Sequence, residues 1–152
     1  MMTRLIPAAA VAALMITGCQ ETVSATDEDV AQAREDAAQN VNEARQDANE
    51  VVADANDELL DAQQDYARTD GSALKKLTKA ESEAMIKTAN AEFDVAKAKA
   101  DGQYEIAKEK CDALNSVDKT ACVSTADATL AANQAEATAI RDAALVSAEH
   151  HE

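Results

Sequence analysis

Apolar positions in the first half of the chain recur on an eleven-residue period. Val30, Ala33 and Ala37 are followed by Val41, Ala44 and Ala48, then by Val52, Ala55 and Leu59, in steps of three, four and four. Polar positions keep the same register, Arg34 with Arg45, and Asp36 with Asp47 and Glu58. Eleven residues in three turns is about 3.67 residues per turn, so an apolar stripe on an α-helix stays almost straight, with a slight right-handed drift. The stripe extends to Tyr66, and Thr26 with Asp29 offers a capping signal at its start, where acidic side chains suit the positive end of a helix. Thr69-Asp70-Gly71-Ser72 reads as a turn, with Ser72 as the next N-cap. The pattern predicts one helix over 27–69, on the order of 60 Å long.

A second helix is predicted from Ala73 to Leu114, with the stripe Ile86, Ala89, Phe93, Ala96, Ala100, Gln103 or Tyr104, Ala107, Cys111 and Leu114. Gly102 interrupts it and reads as a tolerated weak point costing roughly 1 kcal/mol relative to Ala. Asn115-Ser116-Val117-Asp118 forms a tight connection, with Asp118 capping a third helix that runs to about Ala148. Folding the chain back between Ser116 and Val117 sets Cys111 opposite Cys122, Ala107 opposite Ala126 and Gln103 opposite Leu130. Further along, Ala96 meets Ala137, Phe93 meets Ile140 and Ala89 meets Ala144. The one imperfection is Asn133 opposite Ala100, a polar residue that either reaches water at the seam edge or sets register. The expected fold is all-α: long alanine-rich helices forming an antiparallel hairpin (73–149) within an elongated three-helix bundle or coiled coil. The first helix either packs on the second, bringing Tyr66 near Lys75, or pairs with copies of itself.

Composition narrows the picture. There is no Trp, the aromatic residues are Tyr66, Phe93 and Tyr104, and alanine dominates the apolar total. Alanine favours helix but buries little area, so strong helicity should accompany thin tertiary packing. The formal net charge is −15. It is uneven: 20–70 carries fifteen acids against Arg34, Arg45 and Arg68, whereas in 71–111 eight lysines oppose seven acids. Such a chain is not expected to bind nucleic acid, which requires Lys and Arg to neutralise phosphates. It should also be repelled by anionic lipid surfaces.

The N-terminus points to a membrane by another route. Met1–Arg4 is a short positive region, Leu5–Thr17 is apolar and interrupted only by Pro7, and Ile16-Thr17-Gly18-Cys19 follows. The apolar stretch is short for a bilayer span and has the layout of a signal peptide (1–18). Its end resembles the lipobox of bacterial lipoprotein precursors. The resemblance implies cleavage before Cys19, thioether-linked diacylglycerol and N-acylation there, and a lipidated tether over 19–26. Several acyl chains anchor durably without crossing the bilayer. In this family an Asp after the lipidated Cys retains the protein at the inner membrane. Gln20 stands there instead, so the resemblance implies the inner leaflet of the outer membrane, with the rest of the chain facing the periplasm.

In an oxidising periplasm, Cys111 and Cys122, equidistant from the turn, are expected to form a disulfide contributing roughly 2 to 3 kcal/mol. A redox-active pair, its thiol acidified by Lys108 and Lys110, is the alternative, against which the ten intervening residues depart from Cys-x-x-Cys. The segment Tyr104-Glu105-Ile106-Ala107-Lys108-Glu109-Lys110-Cys111-Asp112-Ala113-Leu114, with Lys119-Thr120-Ala121-Cys122-Val123 and Ala126, resembles a repeat of alanine- and lysine-rich envelope proteins of proteobacteria. That repeat has glycine in its turn, where this chain has Ser116 and Val117, and lysine where this chain has Asp127. The resemblance implies a hairpin and no activity.

No catalytic, cofactor or metal constellation is expected. The only histidines, His150 and His151, sit in a terminal tail, and without another there is no Ser-His or Cys-His pair. There is no glycine-rich phosphate loop and no inferred small-molecule substrate. The expected role is a lipid-anchored structural or interaction lipoprotein of the cell envelope, not an enzyme, whose partners are the membrane through Cys19 and either envelope proteins or further copies of itself. The alternative is a periplasmic stress-protective protein or holdase-type chaperone.

Overall fold

The computed structural model describes residues 20–68 and 72–150, with side chains from 27 onward in the first stretch and from 73 in the second. All three elements are α-helices: α1 (Gln20–Arg68), α2 (Ser72–Asp112) and α3 (Ser116–Glu149). The helix α1 has 49 residues, about 74 Å at 1.5 Å per residue. It begins ahead of Thr26, which therefore lies within the helix and does not cap it. No glycine or proline falls between Gln20 and Arg68 to stop it earlier.

The three helices run antiparallel in sequence, and α2 lies in the middle. Both α1 and α3 pack on α2, and no Cα of α1 approaches α3 within 8 Å among the described residues. The reason is in the buried positions of α2. Ala89, Ala100 and Cys111, spaced by eleven, are buried toward α3, whereas Ala91 and Gly102, also spaced by eleven, lie on the other side, toward α1. Ala126, Ala137 and Ala148 of α3 are likewise buried at intervals of eleven. In α1 the positions Val30, Ala37 and Ala55 are buried, and the remaining members of the predicted stripe as far as Leu59 are half-buried. The eleven-residue period thus governs all three helices. The sequence shows it plainly only in α1, because alanines elsewhere fill exposed positions as well.

At Gly102 the backbones of α1 and α2 approach closely. A Cβ placed on it would stand 2.7 Å from the Ala37 Cβ and 3.3 Å from the Ala37 Cα. The reading of Gly102 as a weak point is therefore corrected: the absent side chain is what lets the two backbones meet. Charge contributes less here than the opposed compositions of α1 and α2 suggest. Among the described residues the ion pair that joins them is Lys87 to Glu58, 2.5 Å and solvent-exposed, and exposed pairs of this kind stabilise little. The stripe of α1 also ends sooner than expected, since Tyr66 is exposed.

The α2–α3 hairpin keeps the predicted register. Cys111 meets Cys122, Phe93 and Ile140 share one cleft with Ala89 and Ala144, and Ala107 faces Ala126. Asn133 reaches across the seam, its Nδ2 donating to Gln103 Oε1 at 3.3 Å. The ends shift slightly. Helix α2 stops at Asp112, leaving Leu114 exposed in the turn, and α3 is capped by Asn115, not Asp118. Asn115 Oδ1 accepts from the Val117 and Asp118 N–H groups, both at 3.2 Å, and its Nδ2 donates to Asp118 Oδ2. Near the opposite end, buried Ser82 donates from Oγ to the Ala148 carbonyl at 3.0 Å, satisfying a terminal carbonyl of α3.

Helix propensity alone says that Gly102→Ala should stabilise the chain by about 1 kcal/mol. The packing reverses the sign: thermal unfolding followed by circular dichroism should show a lowered midpoint for Gly102→Ala. Ser82→Ala should cost about 1 kcal/mol, with hydrogen exchange accelerated chiefly in the last turns of α3.

Candidate functional site

The best-defined chemical feature is the disulfide at the closed end of the hairpin. Antiparallel packing at alanine-sized positions brings the Cys111 and Cys122 Cα atoms to 5.6 Å, within the span that a disulfide bridges, and the two sulfurs are bonded. Cys111 is fully buried and Cys122 half-buried. The bridge is one of three fastenings around the turn, with the Asn115 cap and the Lys119–Asp112 ion pair at 2.9 Å.

Lys108, a candidate for acidifying a thiol, is occupied elsewhere. Its Nζ lies 3.4 Å from Glu105 Oε2 and 5.8 Å from the centre of the Tyr104 ring. The Glu105 carboxylate, as hydrogen-bond acceptor and as charge, raises the Lys108 pKa. Tyr104 is also shifted upward: the neighbouring Asp127 carboxylate of α3, as hydrogen-bonding group and as charge, and burial raise it against the opposing Lys108 ammonium. Asp127 on α3 thus acts on a tyrosine of α2 across the hairpin.

A second feature is an apolar groove of about 570 Å³ running over α2 between α1 and α3. Leu59, Met85, Ala89 and Ala144 form its walls, with Glu81 and Glu92 beside them. It exists because α1 and α3 do not meet. The single stripe read along α2 does not show it, because the groove depends on a second face of α2 that packs on α1. The signal that could have revealed it was the pair of alanine series two residues out of phase, Ala89 with Ala100 and Ala91 with Gly102.

The lipobox residues Ile16, Thr17 and Gly18, and the proposed acceptor Cys19, lie outside the described residues. So does His151, whereas His150 closes α3, its N–H donating to the Val146 carbonyl at 3.3 Å. Among the described residues no helix is long and apolar enough to cross a membrane, and no group of three or more His, Cys, Asp or Glu side chains is placed to hold a metal ion. Comparison of the chain with protein families, curated proteins and solved structures finds no match in any of the three.

Two outcomes follow from this geometry. Reducing the disulfide, or replacing both cysteines with serine, should cost about 3 kcal/mol, seen as a lower midpoint in urea unfolding. In a spectrophotometric titration Asp127→Asn should lower the pH at which Tyr104 ionises. Both raised groups, Tyr104 and Lys108, hold their protons more tightly in the folded chain. Their contribution to stability is therefore complete below about pH 10 and is lost as the pH rises through the folded values.

Proposed function

We propose that this protein is a structural or interaction lipoprotein of the bacterial cell envelope, held by acyl chains on Cys19 at the inner leaflet of the outer membrane and extending into the periplasm. The observation that carries this reading is an apolar segment ending in Ile16-Thr17-Gly18-Cys19, directly ahead of a long helix that begins at Gln20. A disulfide between the two remaining cysteines supports it, because such bonds persist in oxidising compartments. The acidic outer surface of α1 supports projection away from an anionic membrane.

In this role the hairpin bridge is structural. Cys111 is enclosed, and the Lys108 ammonium is turned toward Glu105, whereas an activated thiol is partly exposed beside a cation. The work of the molecule is to present helix surface at a fixed place in the envelope, to envelope proteins or to further copies of itself.

The apolar groove favours one second reading, a stress-protective holdase that receives exposed apolar segments of other envelope proteins beside Leu59 and Met85. Met-lined surfaces accommodate varied partners. Suppression of client aggregation by the wild-type chain, lost in Met85→Glu, would favour this reading over a passive spacer.

Metabolic labelling with radioactive palmitate tests the anchor. The wild-type chain should take up label and float with membranes, and Cys19→Ala should lose both. Label retained in that variant, or none in the wild type, would overturn the reading. Crosslinking in intact cells should then capture an envelope protein or a second copy.

A further inference from the structure

The turn between α2 and α3 carries two exposed aliphatic side chains on a rigid support. Val117 is 77% exposed and Leu114 is 44% exposed. Most apolar residues of this chain that large are used in packing, and a short turn gives these two no partner. Their surroundings are held by the disulfide, the Asn115 cap and the Lys119–Asp112 pair. The pair also neutralises the nearest acid on α2. Of the four charged residues next to the turn, Lys110 and Lys119 balance Asp112 and Asp118. The tip is therefore a locally neutral, apolar point on a strongly acidic molecule.

Its position is set by the antiparallel packing. Ala37 and Gly102 are in contact, and from that level α1 rises about 25 Å to Gln20 while α2 rises about 15 Å to Asp112 in the same direction. The turn extends the second distance, so the tip ends within about 10 Å of the level at which the chain leaves Cys19. The geometry points to a second membrane contact: Leu114 and Val117 insert into the lipid headgroup region beside the acylated N-terminus, so that the rod stands on two points. This rests on the lipid-anchor reading above. Two aliphatic side chains alone bind a bilayer weakly, but a neighbouring anchor makes the second contact intramolecular and raises its effective concentration. Docking at two separated points would limit the tilt of the rod and fix which face of the groove meets the periplasm.

The chain contains no tryptophan, so one introduced tryptophan reports alone. Full-length acylated protein carrying Val117→Trp is reconstituted in vesicles of phosphatidylethanolamine and phosphatidylcholine, some containing lipids brominated near the headgroup. Leu74→Trp, an exposed position at the opposite end of α2, carries the same residue type as a control. The Val117→Trp emission should shift to the blue and lose most of its intensity with brominated lipid, and the Leu74→Trp emission should do neither. A protein that floats with the vesicles while Val117→Trp emits as in buffer overturns the tip contact and leaves the anchor standing. A protein that does not float and is not quenched overturns both. Quenching that persists undiminished in Cys19→Ala overturns the proposal, because the tip would then bind without a neighbouring anchor. A blue shift that is present without vesicles and grows with protein concentration means that the tip docks on another copy, and this too overturns the proposal.

Discussion

Helix backbones can come close only where the side chains between them stop at Cβ, and that condition governs this molecule. Gly102 meets Ala37 with no room for a further carbon. On the other side of α2, Ala89, Ala100 and Cys111 are buried against a facing series of alanines and a cysteine. Each such position removes little apolar area from water, so no single residue dominates the stability. The seam compensates by length, repeating every eleven residues over helices of 49, 41 and 34 residues. It also makes the packing intolerant of added volume, since a methyl group inserted between backbones cannot be accommodated by a rotamer change.

The same condition explains why the molecule is an open array. A helix that packs through a narrow alanine stripe leaves most of its circumference free, and α2 has two such stripes on nearly opposite sides. It accepts one helix on each, and among the described residues no Cα of α1 then comes within 8 Å of α3. The remaining circumference is charged and solvated, which accounts for a large negative charge with few ion pairs between helices. Between the outer helices the exposed strip of α2 becomes a groove, lined with Met85 and Ala89 where a closed bundle would have placed a fourth wall.

Stiffness is unequally distributed along the array. The disulfide, the Asn115 cap and the Lys119–Asp112 pair lie at the end where α1 begins. The groove and the Ser82–Ala148 hydrogen bond lie toward the other end, beside exposed Leu60, Leu74 and Val146. In the proposed envelope setting the fastened end is next to the membrane and the more open, more apolar end faces outward. A base held covalently and an outer end with accessible apolar side chains suit a molecule whose role is to be touched by partners.

Much of this was legible in the chain because helices pack locally in sequence. The period of Val30, Val41 and Val52 identified the inner face of α1, and the equal distances of Cys111 and Cys122 from the turn set the register of the hairpin before any contact was known. What a residue does at a crossing was not legible. Gly102 reads as a defect in one helix and becomes the meeting point of two, and Asp118 reads as a cap although Asn115, three residues earlier, has the geometry to accept both N–H groups. The sequence by itself determined which faces are apolar, since periodicity along one helix is a property of that helix alone. Only the tertiary structure decided that α2 serves two partners and leaves a groove between them, because alanine is small enough to be buried or exposed at almost equal cost, and the choice depends on which backbone comes near.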